Sequence, residues 1–241
     1  MVAEIKALVF DVFGTVVDWR SSIIRESREI GAAKNINRDW ESFADGWRSK
    51  YGPFMDKVRQ GYLPWTNLDN LHYMALEELL NEFQIQDFND SDKETLNKAW
   101  HRLDPWPDAI PGLNRLRESY IIAPLSNGNL ALLTNMAKKA GLPWDCILSA
   151  ELAHAYKPNH EVYTMAAQLL SLPPSQLLMV AAHPGDLIAA QQAGLHTAFV
   201  PRPFEHGPFR NPNTQPIDRF DIVAKDIIDL ANQLNYPRVS G

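Results

Sequence analysis

Short β-rich runs alternate with helical stretches through the second half of this 241-residue chain. The predicted strands lie at residues 5–10, 120–125, 146–148, 177–182, 197–200 and 220–223. Helical patterns lie between the later strands, at residues 129–140, 160–170 and 186–193. Strands that alternate with helices form parallel sheets that helices cover on both faces. The pattern therefore predicts an α/β fold with a Rossmann-like parallel sheet.

A long helical insertion separates the first predicted strand from the others. Residues 21–103 carry only helical patterns, with apolar side chains at helical spacing in residues 66–83 and a capping-box sequence at residues 91–94. Proline and glycine interrupt the pattern between residues 104 and 112. We expect a Rossmann-like core formed by residues 1–17 and 106–241, with an all-helical cap domain at residues 18–105. Residues 201–216, rich in proline and asparagine, are predicted to form an extended surface loop.

Composition argues against several classes of function. The chain has 23 Lys and Arg against 29 Asp and Glu, and no stretch is strongly basic, so we expect no nucleic-acid binding. The longest apolar run, at residues 177–182, is too short to cross a bilayer, so we expect no membrane partner. Cys146 is the single cysteine, which excludes an intrachain disulfide. Because no charged and apolar leader precedes the first strand, we expect a cytoplasmic protein.

Four loops at the ends of predicted strands carry polar side chains. They lie at residues 11–15 (DVFGT), 126–128 (SNG), 157–158 (KP) and 183–186 (HPGD). Ligands of open parallel sheets bind at the carboxyl ends of the strands. Taken singly, each loop has an ordinary explanation as a helix cap, a tight turn or a solvated loop. Their order along the alternating strands and helices is much more specific than any one of them.

This ordered set resembles the motifs of the haloacid dehalogenase-like hydrolase superfamily. The matching residues are Asp11 to Thr15, Ser126 with Asn127, Lys157 and Asp186. The resemblance covers residues 1–17 and roughly 106–235, and it identifies the helical insertion with the cap domain of that superfamily. It implies that Asp11 is a nucleophile and that Lys157 lowers the pKa of Asp11 as a nearby opposite charge. The alternative for Asp11 is an ordinary helix N-cap.

Phe13 separates two kinds of chemistry within that superfamily. Most members resemble phosphatases and carry a second Asp two residues after the nucleophile, where this chain has Phe13. Expelling an alkoxide from a phosphate ester benefits strongly from a proton, which that second Asp would supply as a general acid. Halide is a weak base and leaves without a proton. Phe13 therefore favours dehalogenation over phosphate-ester hydrolysis.

A finer resemblance is to the (S)-2-haloacid dehalogenases, also called L-2 or type II enzymes. They have an aromatic residue at the position of Phe13, a cap arginine in a pattern similar to residues 47–51 (WRSKY), and a tyrosine six residues after the lysine. These features match Arg48 and Tyr163. The resemblance implies hydrolysis of 2-haloalkanoates to 2-hydroxy acids with inverted configuration, through an ester on Asp11. It implies neither a metal nor another cofactor, and it suggests a homodimer.

The same resemblance assigns the groups that bind the substrate. Its carboxylate would be held by the Ser126 hydroxyl and by the backbone N–H groups of Val12 and Phe13. The departing halide would lie between the Arg48 guanidinium and the Asn127 amide. For Arg48 the alternative is a solvated helix face near Asp45. The other cap arginines that we considered for this role are Arg20, Arg25, Arg28 and Arg38.

The fourth motif departs from the better-known haloacid dehalogenases, which read Ser-Ser-Asn-x-x-Asp where this chain reads AAHPGD at residues 181–186. A subgroup that resembles this chain has a histidine at the position of His183, and some of its members accept fluoroacetate. His183 is a candidate for orienting or deprotonating the water that cleaves the ester. Thr15 and Asp186 would position Lys157 and that water. Halogen preference stays open.

Two of these residues also have ordinary structural explanations, and two other functions remain open. His183 could be a loop histidine whose hydrogen bonds go to the backbone, and Tyr163 could be a core ring with its hydroxyl at the edge. Within the superfamily, the rival activity is a Mg²⁺-dependent phosphatase that uses Asp11 and Asp186 as metal ligands. The rival from another class is a non-catalytic protein of the same fold that binds an anion or a partner.

Overall fold

The computed structural model describes residues 5–208 and 219–235. Its strands are β1 Ala7–Phe10, β2 Val17–Asp18, β3 Asp104–Pro105, β4 Ile121–Ser126, β5 Leu148–Ser149, β6 Leu177–Ala181, β7 His196–Phe199 and β8 Ile222–Val223. Its α-helices are α1 Trp19–Ala33, α2 Trp40–Arg59, α3 Leu68–Glu82, α4 Asp90–Asn97, α5 Ala109–Arg117, α6 Leu130–Ala140, α7 His160–Leu169, α8 Pro184–Gln192 and α9 Ile227–Asn235. Short 3₁₀ helices lie at Lys98–His101, Ala150–Ala153 and Pro174–Gln176.

Strand β1 lies in the middle of a parallel sheet with the order β5–β4–β1–β6–β7–β8. All four residues of β1 are fully buried, which explains why its sequence is a continuous apolar run rather than an alternating one. The register pairs Phe10 with Pro124 on β4 and with Val180 on β6. The loops after β1, β4 and β6 therefore meet at one edge, and the predicted α/β parallel sheet is confirmed.

A short antiparallel ribbon joins the helical insertion to the sheet. Strands β2 and β3 pair Val17 with Pro105 and Asp18 with Asp104, at the two points where the chain leaves the core and returns to it. Helices α1 to α4 lie between these strands in sequence. Two-residue strands carry no periodicity, so the sequence did not predict this ribbon. We propose that it marks the division between a core of residues 1–17 and 106–241 and a cap of residues 18–105.

Polar side chains cap the N-termini of the helices in the insertion. Asp18, Asp39 and Asn67 each accept a hydrogen bond from the backbone N–H three residues later, at the first turns of α1, α2 and α3. The capping box that begins α4 joins Asn89 to Asp92. The prediction of a box at residues 91–94 was therefore wrong, because the Asn89 side chain caps the helix two residues earlier. Among the described residues, no helix combines the length and apolar character that crossing a membrane requires.

A polar cluster fastens the cap to the core beside β4. The backbone N–H of Asp69, on α3, donates to Asn129 Oδ1 at 3.2 Å, and Asn129 Nδ2 donates back to Asp69 Oδ2 at 3.2 Å. His101 Nε2 lies 2.8 Å from Asp69 Oδ1. Asn135 Nδ2, on α6, lies 3.0 Å from His101 Nδ1. These bonds hold the cap over the strand ends.

The proline-rich segment is only partly a surface loop. Residues 209–216 of the predicted loop lie outside the described residues. Within residues 201–208, the Arg202 guanidinium pairs with Asp108 at 2.7 and 2.8 Å, and its Nε donates to the Thr15 carbonyl at 2.9 Å. Glu205 is only 5% exposed. The prediction of an extended surface loop is therefore wrong for Glu205, because Arg202 anchors the segment to the core.

Candidate active site

A cavity of about 330 Å³ lies between the cap and the strand ends. It is lined by Asp11, Phe13, Arg48, Tyr51, Asn127, Lys157, Pro158, Tyr163, His183, Gly185 and Asp186. The sequence-predicted site residues Val12, Thr15 and Ser126 do not line it and lie fully or almost fully buried behind its wall. The structure therefore brings the other predicted site residues together at one cavity.

The Asp11 carboxylate is surrounded by donors. Lys157 Nζ donates to Oδ1 at 3.0 Å, the Thr15 hydroxyl donates to Oδ2 at 2.8 Å, and His183 Nδ1 lies 3.0 Å from Oδ2. Burial alone would raise the pKa of Asp11, but the charge of Lys157 and the bonds from His183 and Thr15 outweigh burial. They hold that pKa well below its usual range, so Asp11 is ionised at neutral pH.

Thr15 reaches Asp11 from a fully buried position. Its hydroxyl accepts the backbone N–H of Ala182 at 2.9 Å, and this bond turns the hydroxyl hydrogen toward Asp11. Ala182 directly follows β6, so Thr15 ties the loop after β1 to the loop after β6. Thr15 thus acts on the carboxylate from behind the cavity wall.

Lys157 bridges two carboxylates. Its ammonium donates to Asp186 Oδ2 at 2.5 Å as well as to Asp11, and the Tyr163 hydroxyl donates to Asp186 Oδ1 at 2.5 Å. Burial alone would lower the pKa of Lys157, but the two carboxylates outweigh it and hold that pKa above its usual range. Asp186 and Tyr163 therefore fix the ammonium beside the Asp11 carboxylate.

His183 lies between two carboxylates, and Glu205 is the second of them. His183 Nε2 lies 3.0 and 3.1 Å from the two Glu205 oxygens, and Trp19 Nε1 donates to Glu205 Oε1 at 3.1 Å. Burial opposes protonation of the ring, but the bonds to Asp11 and Glu205 raise the pKa of His183 to about 10. Charge and a hydrogen bond from His183 hold the pKa of Glu205 below its usual range against burial. The imidazole is thus protonated at neutral pH when both partners are ionised.

Arg48 projects from α2 into the cavity. Its guanidinium lies over the Tyr51 ring, with Cζ 4.2 Å from the ring centroid, and over the Trp19 ring at 5.5 Å. Its Nη1 is buried and has no hydrogen-bond partner within the described part of the chain. Asp45, the partner that a solvated helix face would offer, pairs with Arg20 at 2.8 Å. Of the cap arginines considered, Arg48 is the one that lines this cavity.

Asn127 is held by its carbonyl oxygen. Asn127 Oδ1 accepts the backbone N–H of Lys157 at 2.7 Å, and Nδ2 lies 3.4 Å from Met55 Sδ on α2. This arrangement fixes the orientation of the amide and keeps its N–H groups on the cap side. The neighbouring Ser126 hydroxyl accepts the Gly128 N–H at 3.2 Å from a fully buried position.

Phe13 closes the side of the cavity where a phosphatase of the superfamily would carry its acid. The ring is 2% exposed and meets Tyr51, His72 and Trp100 edge to face, at centroid distances of 6.4, 6.5 and 5.9 Å. Burial lowers the pKa of His72 to about 3, so the imidazole behind Phe13 is neutral at neutral pH. The surroundings of residue 13 therefore suit an apolar ring.

The sequence and the fold of this chain are similar to those of known hydrolases. A family model described as haloacid dehalogenase-like hydrolase matches residues 5–194. The crystal structure of a defluorinating L-2-haloacid dehalogenase is 44% identical, covers 96% of this chain and 95% of its own, and superposes with a TM-score of 0.93. This chain belongs to the L-2-haloacid dehalogenase family of haloacid dehalogenase-like hydrolases. A second solved L-2-haloacid dehalogenase is 43% identical, covers 95% and 99% of the two chains, and has a TM-score of 0.90.

The curated relatives of this chain point to the same family as the solved structures do. The (S)-2-haloacid dehalogenase 4A of Burkholderia cepacia is 28% identical over 246 residues, which cover 96% of this chain and all of that protein. Both the curated and the structural similarity extend across the helical insertion as well as the core. The resemblance drawn from the motifs is confirmed.

Two carboxylates of this hydrolase have their oxygens occupied by protein donors. Asp11 binds Lys157, Thr15 and His183, and Asp186 binds Lys157 and Tyr163. Within residues 5–208 and 219–235, no group of three His, Cys, Asp or Glu side chains is arranged to hold a metal ion. The Lys157 ammonium contacts both carboxylates, at 3.0 Å from Asp11 Oδ1 and 2.5 Å from Asp186 Oδ2.

Sequence reasoning missed two residues of this hydrolase's site. Glu205 lies in the segment predicted as a surface loop, where it is the single acidic residue among residues 201–216. That isolation was the only signal that could have marked it. Tyr51 was part of the cap pattern but was not assigned a role, although its place one turn after Arg48 puts both side chains on the same face of α2.

Proposed function

We propose that this protein hydrolyses short (S)-2-haloalkanoic acids, such as haloacetate and 2-chloropropionate, to 2-hydroxy acids. The observation that carries the proposal is the Asp11 carboxylate, which is held ionised by Lys157 at a cavity that Phe13 lines. An ionised, positioned carboxylate is the nucleophile that halide displacement needs. The names of relatives at 43% and 44% identity, both L-2-haloacid dehalogenases, support the substrate class.

The first step forms an ester. An oxygen of Asp11 attacks Cα of the haloacid in line with the carbon–halogen bond, and the electron pair of that bond leaves with the halide. Configuration at Cα inverts in this step. By the family resemblance, the substrate carboxylate binds the Ser126 hydroxyl and the backbone N–H groups of Val12 and Phe13. Of these three residues Phe13 lines the cavity, and Val12 and Ser126 lie behind its wall. The bond from the Gly128 N–H to Ser126 Oγ supports this role, because it leaves the Ser126 hydroxyl hydrogen to donate to the substrate.

Arg48 and Asn127 receive the departing halide. The buried Arg48 Nη1 needs an acceptor, and an anion in the cavity supplies one. Asn127 offers its N–H groups because its carbonyl oxygen is already bound to the Lys157 backbone. Charge that develops on the halide is therefore stabilised as the carbon–halogen bond breaks.

The second step uses His183 after a change in its charge. Ester formation removes the negative charge of Asp11, one of the two partners that raise the pKa of His183. That pKa then falls, and His183 loses its proton, which accounts for the one proton that the overall reaction releases. The neutral imidazole, still held by Glu205, takes a proton from water as the water attacks the Asp11 ester carbonyl. The leaving alkoxide takes that proton as its bond to the Asp11 carbonyl breaks, and the second proton of the water passes from the new Asp11 carboxyl group to His183. These transfers yield the 2-hydroxy acid, the Asp11 carboxylate and the protonated imidazole of the free enzyme.

We include fluoroacetate among the proposed substrates. The 44% identical relative of known structure is named as defluorinating. Fluoride is a small, strong hydrogen-bond acceptor, and the buried Arg48 Nη1 is a donor of matching strength. The inference that His183 belongs to a defluorinating subgroup rests on the sequence resemblance alone.

Halide release from the EDTA-treated protein tests the proposed function. Chloroacetate, fluoroacetate and each enantiomer of 2-chloropropionate would be compared with p-nitrophenyl phosphate plus Mg²⁺. We expect halide release without metal, selective for the (S)-enantiomer and abolished in Asp11→Asn. Phosphate release that requires Mg²⁺ would establish the rival phosphatase instead. Failure of every substrate to react would favour a non-catalytic binding protein.

We also propose that the protein works as a homodimer in the cytoplasm. The support for the dimer is the resemblance to the (S)-2-haloacid dehalogenases. Light scattering on the purified protein checks the first point, since a dimer has the mass of two chains. Cell fractionation checks the second.

A further inference from the structure

One face of helix α2 follows the active-site loops of the core. Arg48, Tyr51, Met55 and Arg59 are spaced by three or four residues, so their side chains lie on one face. Arg48 and Tyr51 line the cavity, and Met55 contacts Asn127. Arg59, the last residue of the helix, reaches furthest along the core, where its Nη2 donates to the backbone carbonyl of Lys157.

The backbone of Lys157 is held by side chains on both sides. Its N–H donates to Asn127 Oδ1 at 2.7 Å, and its carbonyl accepts from Arg59. Residue 157 lies between the 3₁₀ helix Ala150–Ala153 and α7, outside regular secondary structure. No hydrogen bond of a helix or a sheet therefore holds the backbone N–H and carbonyl of Lys157. The Asn127 and Arg59 side chains bind these two groups instead.

A second hydrogen bond, to Asp56, also holds the Arg59 guanidinium in place. Its Nη1 donates to Asp56, one turn earlier on α2, and its side chain is 21% exposed. A guanidinium with two bound nitrogens has few alternative positions. Because Asn127 belongs to the core and Arg59 to the helical insertion, the Lys157 peptide is clamped from both parts of the molecule.

We propose that Arg59 is a positioning residue that places the Lys157 ammonium against Asp11 when the cap is seated on the core. A shift of the residue 157 peptide would move Nζ away from both Asp11 and Asp186, which it now contacts at 3.0 and 2.5 Å. Arg59 touches neither substrate nor reacting atoms in this role. The turnover part of its test rests on the proposed dehalogenase function.

Arg59→Ala and Arg59→Lys, compared with Arg38→Ala, test this proposal. Arg38 also donates to backbone carbonyls, those of Phe83 and Gln84, but all of its partners lie within the helical insertion. We expect Arg59→Ala to lower kcat for 2-chloropropionate by roughly 10- to 100-fold, as misplacement of a catalytic group does. Arg59→Lys should recover part of that loss, and Arg38→Ala should keep the wild-type kcat. Equal losses in Arg59→Ala and Arg38→Ala would overturn the proposal.

A second measurement needs no turnover. In protein labelled with ¹³C at the Asp side-chain carboxyl, the Asp11 signal, assigned with Asp11→Asn, reports the titration of that group. We expect the pKa of Asp11 to rise in Arg59→Ala and to stay unchanged in Arg38→Ala. The two variants are compared under conditions in which their Tm values match, so that a difference in stability does not account for the shift. An unchanged Asp11 titration in Arg59→Ala would overturn the positioning role even if the wild-type protein hydrolysed no haloacid. A wild-type protein without haloacid turnover, but with the expected shift, would overturn the proposed function alone.

Discussion

The Glu205 carboxylate occupies the space beside Gly14 that the side chain of any other residue would need. A Cβ atom built on Gly14 would lie 2.1 Å from Glu205 Oε1. Gly14 also has a φ of +87°, in the region that favours glycine. The glycine that turns the chain after the nucleophile therefore also admits the carboxylate that supports His183.

Gly14→Ala should destabilise the protein more than Gly141→Ala does. Both glycines have positive φ, and alanine in the left-handed region costs roughly 1–2 kcal/mol. A Cβ on Gly141 meets nothing within 4 Å, whereas one on Gly14 meets Glu205. Urea denaturation of both variants gives the difference in free energy of unfolding, which isolates the contact with Glu205. If Gly14→Ala and Gly141→Ala lowered the free energy of unfolding equally, this packing would be contradicted. It would also be contradicted if adding Glu205→Ala to Gly14→Ala restored none of the lost stability.

Glu205→Gln should separate the two chemical steps. Ester formation needs Asp11, Lys157 and Thr15, which this change leaves in place, whereas ester hydrolysis needs the imidazole that Glu205 supports. We expect a burst of about one halide per site, followed by a steady state slower by roughly 100-fold or more, the usual contribution of a general base. Rapid-quench halide measurements show both phases, and mass spectrometry shows the ester.

Glu41→Gln is the matched control for this experiment. Glu41 is an exposed cap carboxylate whose ion pair is to Arg20 at 3.7 Å. It should show wild-type kinetics without a burst. If Glu205→Gln slowed the burst and the steady state equally, the assignment of Glu205 to the second step would be wrong.

The charge on His183 should make the stability of the free enzyme depend on pH. Burial opposes its protonation, but Asp11 and Glu205 raise the pKa of His183 to about 10, above the unfolded value of roughly 6.5. A raised pKa gives stability that is complete below pH 6.5, declines as pH rises and is lost above about pH 10. The free energy of unfolding of the wild type, relative to His183→Gln, should therefore shrink between pH 6 and pH 10. A constant difference would show that His183 is neutral in the folded protein.

The sequence predicted the parts of the site that lie in motifs. Asp11, Lys157 and Asp186 follow in order along strands and helices whose apolar runs are easy to recognise, so their meeting at one edge could be foreseen. Tyr163 was implied by the resemblance to the (S)-2-haloacid dehalogenases, which carry a tyrosine six residues after the lysine, and it does line the cavity. Periodicity thus predicted the sheet, and the resemblance to the superfamily assigned the roles of the residues at its edge.

The remaining parts depend on contacts between distant segments. Glu205 reaches His183 only because Arg202 pairs with Asp108 and draws its segment against the core. Arg59 is an ordinary basic residue at a helix end until the fold brings it to the Lys157 carbonyl. Such pairings leave no pattern in the local sequence, and the short β2–β3 ribbon leaves none either.

The most direct test of the account is a single turnover in H₂¹⁸O with the enzyme in excess over (S)-2-chloropropionate. If Asp11 forms the ester and water attacks its carbonyl, the lactate from the first turnover carries no ¹⁸O. The label then appears in the peptide that contains Asp11, and it reaches the product only in later turnovers. Labelled lactate in the first turnover, with an unlabelled Asp11 peptide, would contradict the ester and require direct attack by water.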